Sequence, residues 1–412
     1  MVRTTLKYIL LASFIALLAA CIRDKENTLR FSSWQSNPSE KRLTDSLLNC
    51  FAKKYPSYKV KFELIPGNYS EKIQLMLGTH SAPQVFYVKD FVARSYLRYD
   101  VLQPLNEFID RDTSFDLADF YPQFLDAFTK NGKIYGLPKD FGPFVLFYNE
   151  DMFKAAGLTG PPKDWEELEE FSKRLTKDND NDGKIDQYGF VAEPSIDKLM
   201  PFVFQNMGSF QDKDGNLTIN TPEFKGALEY YYGLYKKNIA TIPSEVSMNN
   251  TEEVFGRKRA AMVVSGGWFL PQLKDQFKDV HFKLAFLPKG KQMATIAFTV
   301  SYSSAKENPL KEETWKLMSY LTGKEGMKVW TSTGIAMPTR KSVATGLGYI
   351  DHPLYKYFMG SVEFAKVFQV DYNERWYTIT QSALQAVFYE KADIQKKLQQ
   401  MENDIRPLRI KN

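Results

Sequence analysis

Cysteine is almost missing from this chain: 412 residues contain two, Cys21 and Cys50. A disulfide framework is therefore excluded as the basis of the fold. Histidine is also scarce, at three (His80, His281 and His352), and their separations match no zinc-ligand spacing. The sequence contains no nucleophile elbow and no zinc-protease motif, so the common hydrolase signatures are lacking. Neither sign of charge is in marked excess. Lys and Arg number 54 against 49 Asp and Glu, which makes no case for nucleic acid. Beyond residue 20 no stretch is long and apolar enough to cross a bilayer. Internal repeats and low-complexity tracts are absent. What remains is a composition ordinary for a globular protein, in a chain long enough for two or more domains.

The first twenty residues stand apart. Arg3 and Lys7 precede the uncharged run Tyr8 to Ala20, which is too short to span a membrane as a free helix. The run ends Leu18-Ala19-Ala20-Cys21. Small residues before a cysteine resemble the lipobox of bacterial lipoproteins, in which the cysteine becomes the lipidated N-terminus. The expectation is a signal peptide over 1–20, a lipid on Cys21 and a polar tether over 21–27. A plain signal peptide with an incidental Cys21 is the alternative. Loss of residues 1–20 removes Arg3 and Lys7 and leaves a net charge of +3. Cys50 is then alone, on the apolar side of a predicted helix, and is expected to be a buried thiol.

Aromatics are plentiful, at 15%. Most belong to a core, but a surplus of Tyr and Trp also suits a site that stacks on flat apolar faces. Strands are predicted over 28–34, 58–65 and 85–88, with helices after each, a pattern that indicates a parallel α/β layer. Ligands in such folds bind beyond the carboxyl ends of strands. Trp34-Gln35 and Lys89-Asp90 fall at such ends. Residues 132–153 read as an extended piece, an irregular elbow at 139–143, a buried strand over 144–148 and a cap at Asn149. Asp164 and Glu167 form a capping box, and Pro222 opens a strong helix. Ser265-Gly266-Gly267-Trp268 follows a short buried strand.

Nine stretches in order resemble the extracellular solute-binding proteins of carbohydrate-uptake ABC transporters, the maltose-binding-protein-like group. They are 31–34, 82–87, 132–138, 146–149, 162–168, 182–189, 259–263, 315–321 and 337–341. The resemblance covers nearly all of residues 28–405. It implies a periplasmic-binding-protein-like fold, with two α/β lobes joined by hinge segments and a sugar held in the cleft between them. On this basis 28–137 with 291–326 form the N-terminal lobe, and 138–290 with 327–412 the C-terminal lobe. The resemblance places Trp34, Gln35, Asp90, Asp140, Phe141, Trp268, Arg375 and Trp376 at the sugar. Aromatic rings would cover its C–H face, while carboxylates and Arg would grip its hydroxyls. Trp34, Phe141 and Trp376 fit core packing as well, and Asp90 and Asp140 fit capping. Where many relatives carry a glycine pair, this chain has Gln292-Met293-Ala294-Thr295, which leaves the pocket shape there open.

The run Asp178-Asn179-Asp180-Asn181-Asp182-Gly183-Lys184-Ile185-Asp186 copies the start of a calcium loop. Oxygen ligands stand at positions 1, 3, 5 and 9, glycine at 6, and the Lys184 carbonyl at 7. Position 12 is Gly189 instead of Glu, so Glu193 is the nearest downstream completion. A solvated acidic turn is the alternative. The function expected is a non-enzymatic receptor, with no required cofactor and at most a structural calcium. It would be a monomer that hands sugar to an ABC permease. The same fold binding a peptide, polyamine or anion, or a secreted glycoside-acting enzyme, are the competing classes.

Overall fold

The computed structural model describes residues 28–34 and 38–410. Cys21, the tether and Gln35 lie outside the described residues. Among those described, no helix is long and apolar enough to cross a membrane.

Among the described residues, beside a small hairpin of Thr129–Lys130 and Lys133–Ile134, eleven strands build two large sheets. They are β1 (Thr28–Ser33), β2 (Lys59–Leu64), β3 (Val85–Lys89), β4 (Gly136–Pro143), β5 (Val145–Asn149), β6 (Tyr188–Val191), β7 (Ala240–Thr241), β8 (Ala260–Ser265), β9 (Phe282–Ala285), β10 (Thr295–Ser303) and β11 (Ala365–Val367). The first sheet runs β11-β10-β3-β1-β2, with β4 also paired to β10. The second runs β9-β5-β8-β6-β7. In the first lobe β1 pairs parallel with both β2 and β3, as the strand–helix alternation requires. Leu29, Phe31, Val85 and Phe86 are fully buried there.

The helices follow their sequence signals. Asn149 Oδ1 accepts the Met152 N–H and Asp164 Oδ1 the Glu167 N–H. Pro222 sits at the first turn behind the Thr221 cap. Helix 38–54 buries Leu43, Leu47 and Phe51 at a spacing of four. Cys50 falls off that stripe and is exposed, which corrects the expected buried thiol.

The lobe boundaries also differ from expectation. Residues 139–143 are not an irregular elbow. They continue β4, which pairs antiparallel with β10 as far as Pro143 opposite Ala297. The second sheet begins at Val145, opposite Ser265. The first crossing is therefore at Phe144, whose N–H donates to the Ile296 carbonyl of β10. On the return, helix Lys324–Thr331 packs on helix Pro38–Lys54 and buries Met327 in the first-lobe core. Residues 327–331 thus belong with the first lobe, and the chain settles in the second core from Phe368 onward.

Candidate functional site

A cleft of about 880 Å³ opens between the lobes, lined by Trp34, Tyr87, Lys139, Asp140, Trp268, Phe298 and Trp330 among others. Trp34 projects just beyond the carboxyl end of β1. Its ring meets Tyr69 and Tyr87 edge-on at centroid distances of 5.2 and 4.9 Å, and the Lys89 ammonium lies 4.9 Å from it. Trp268, Phe144 and Phe298 form an aromatic floor, with centroids 5.1–5.9 Å apart. The ring of Trp268 explains the glycines around it. A Cβ at Gly266 would meet the indole at 2.2 Å, and one at Gly142 would meet it at 2.9 Å. A Cβ at Gly267 would stand 2.8 Å from the Gly334 carbonyl. The Gly-Gly pair therefore gives room to the protein's own indole and to the facing 334–336 segment, whose Ile335 and Ala336 also line the cleft.

A β-bulge sets the polar wall. Val300 pairs with Asp140 and Ser301 with Pro138, which leaves Lys139 as the extra residue. Ordinary alternation would send neighbours to opposite faces; the bulge turns both Lys139 and Asp140 to the cleft. The Lys139 ammonium pairs with Asp140 Oδ2 and lies 3.8 Å from the centre of the Trp330 ring. Trp330 Nε1–H donates to the same carboxylate oxygen at 2.6 Å. This buried carboxylate is thus held by a cation and an indole on one oxygen.

Beyond Trp34 the lobes touch. Phe91 stacks on Tyr377 with centroids 6.3 Å apart, and the Tyr377 hydroxyl donates to Asp197 Oδ2 at 2.9 Å. Burial lowers the pKa of Lys89, against the opposing pull of Asp90, Asp197 and Glu374. Burial likewise raises those of Glu193, Asp197 and Glu374.

Of the expected sugar contacts, Trp34, Asp140 and Trp268 converge on the cleft. Asp90 is buried beside it, where Oδ2 accepts the Thr299 N–H (2.9 Å) and Oδ1 the Phe91 N–H (2.8 Å). Burial pushes its carboxyl up to about 7 despite those bonds. Phe141 is a correction: it is fully buried and stacks on Phe124 at 4.4 Å. Trp376 is another, packed edge-on against Phe210 and Phe368 within the second core. Arg375, beside it, faces solvent. From the same turn it is Tyr377 that reaches across to the first lobe. Sequence reasoning missed Lys139, Phe298, Trp330 and Tyr377. Trp376, Thr380, Leu384 and Val387 are buried at helical spacing; that stripe was readable and places Trp376 inward.

In the acidic loop, one carboxylate oxygen from each of Asp178, Asp180 and Asp186 lies within 4.8 Å of the others. Asp178 Oδ1 is buried and has no hydrogen-bond partner, so the donor set fits a hard cation. Asp182 turns away, accepting the Lys184 N–H and facing the Lys184 ammonium at 3.6 Å. Gly189 cannot be replaced by the usual glutamate, since its Cβ would meet the Ser172 backbone at 2.2 Å. Glu193 does not complete the loop either. It lies among Lys198, Glu252 and Asp197.

Two α/β lobes, linked by strands and facing each other across an aromatic cleft with a charged wall, define a solute-binding protein. The family model for bacterial extracellular solute-binding proteins matches residues 31–328, and the chain belongs to that family. It is 26% identical over 308 residues to the arabinooligosaccharide-binding protein of Bacillus subtilis, covering 70% of this chain and 68% of that one. Its fold matches an ABC substrate-binding protein of Listeria monocytogenes in complex with cycloalternan (TM-score 0.83, 23% identity, 92% of this chain and 98% of that one). It also matches the sugar-binding protein MalE of Xanthomonas citri (TM-score 0.78, 22% identity, 92% and 97%).

Proposed function

We propose that the protein captures a sugar or oligosaccharide outside the cytoplasm and delivers it to an ABC transporter permease. The observation that carries this reading is the cleft itself. Trp34, Trp268 and Phe298 line it with aromatic surface that suits apolar C–H groups, while Lys139 and Asp140 offer charged hydrogen-bonding groups on the same wall. Its volume suits a small oligosaccharide. The relatives named above support the sugar class. Calorimetry against a panel of oligosaccharides tests it, with product analysis of the same mixtures. One-to-one binding without turnover is expected; turnover, or no binding across the panel, would retire the reading.

The anchor and the metal belong to the same proposal. Cys21 carries lipid and tethers a monomeric receptor to the membrane. Asp178, Asp180 and Asp186 hold a structural calcium, supported by the unpartnered Asp178 oxygen.

A further inference from the structure

The mouth of the Trp34–Trp268 cleft is bounded by one helix from each lobe. Helix Pro38–Lys54 of the first lobe contributes Glu40 and Arg42 to the lining, and helix Phe269–Gln276 of the second contributes Gln272 and Asp275. Arg42 and Asp275 are exposed, which puts them at the rim. Each helix is fixed to its own lobe. Leu47 and Phe51 anchor the first in the first-lobe core. Phe269 and Leu273 seat the other among Phe147, Val263 and Leu284 of the second sheet. The two lips therefore travel with the lobes when the cleft opens or closes.

Five residues of the lining carry charge: Glu40, Arg42, Lys139, Asp140 and Asp275. Lys139 and Asp140 pair with each other, and Glu40 is already engaged. The Arg42 guanidinium donates to Ser39 Oγ, a neutral partner on its own helix, at 2.7 Å, and pairs with no carboxylate among the described residues. Among the same residues, the exposed Asp275 carboxylate makes no hydrogen bond or ion pair. The adjacent cations do not change this count. Lys41 holds Asp45 at 2.6 Å. Lys274 is outside the lining, and consecutive residues on a helix do not face each other. A cation and an anion thus stand unpaired, one on each lip. Closure brings the lips together, and a contact between opposite charges formed only then favours the closed state.

We propose that Arg42 and Asp275 are positioning residues of the cleft, which join in an ion pair across its mouth on closure and clasp the sugar inside; this rests on the proposed sugar capture. Calorimetry with maltotriose, mannotriose and arabinotriose reads the clasp through affinity. Arg42→Glu and Asp275→Arg should each weaken whichever sugar binds by about fivefold, the upper scale of an exposed ion pair. The double variant, which restores the pair with its charges exchanged, should recover the wild-type affinity. The deficit of each single variant should fade as sodium chloride screens the charges. A merely structural role would show neither the rescue nor the fading. Single variants that bind as the wild type does, or a double variant weaker than either single one, would overturn the proposal. A second arm needs no sugar. Arg42→Cys with Asp275→Cys, in a chain that also carries Cys21→Ser and Cys50→Ser, should be bridged within one chain by a short bismaleimide, as read by mass spectrometry. Absence of that bridge would overturn the clasp whatever the sugars do. A bridge in a protein that binds none of the three sugars would support the clasp and count against the proposed function alone.

Discussion

Trp268 serves both the cleft, which it lines, and the fold, since its indole packs close to Gly142 and Gly266. Trp268→Ala should weaken sugar binding by about 1–3 kcal/mol, the scale of one large stacking face. Calorimetry measures it, and an unfolded variant would mean the ring is core. Asp90 gives a prediction about pH. Its folded carboxyl, raised to about 7 by burial, sits above the ordinary unfolded value of about 3.9. Between those values the native state holds the extra proton, so stability falls as pH rises and levels off above about 7. The melting temperature of the wild type should therefore drop more between pH 5 and 7.5 than that of Asp90→Asn. Equal slopes would remove Asp90 as the cause. At this scale the sequence was legible where a side chain follows directly from a strand end, as with Trp34 and Trp268. It was not legible where packing between distant segments decides. Trp330 reaches Asp140 across 190 residues of chain, and no local pattern announces that pairing. Phe141 and Asp140 are neighbours, and only the register of β4 against β10 tells which one faces the cleft.

Among the elements, β4 matters most. Its bulge puts Lys139 beside Asp140, and nothing in Lys139-Asp140-Phe141-Gly142-Pro143 marks a bulge in advance; the turn-like composition reads as an elbow. The strand's glycine is specific in its effect. Gly142→Ala would place a methyl group 2.9 Å from the edge of the Trp268 indole, which must shift to make room. The expected outcome is weaker sugar binding and shifted tryptophan fluorescence, with little loss in melting temperature; unchanged affinity would show that the indole's tilt is immaterial. The acidic loop was legible as spacing at positions 1, 3 and 9. Its departure at position 12 has a physical cause, the close pass of Gly189 over Ser172. If calcium binds, a chelator should lower the melting temperature, and Asp180→Ala should abolish that sensitivity. A melting curve indifferent to chelator would retire the metal.

At the scale of the whole molecule, two cores and two sheets were legible from the alternation of strands and helices and from the order of the family's stretches. The crossing points were not, because a hinge strand such as β10 contributes to both cores, through Ile296 in one and Tyr302 in the other. Anchoring is also a property of the whole chain. With Cys21 lipidated as proposed, Cys21→Ser should move the protein from the membrane to the soluble fraction, since acyl chains and not the short apolar run would give lasting attachment; a variant still in the detergent phase would make the run the anchor. The central claim is that a sugar is held between lobes that close over it, a hinge motion carried by few residues. Small-angle scattering of the protein, with and without the oligosaccharide that calorimetry identifies, tests it most directly. The account predicts a smaller radius of gyration with sugar for the wild type and little change for Trp268→Ala at the same sugar concentration. A wild type that binds sugar with no compaction, or a variant that compacts equally, would contradict it.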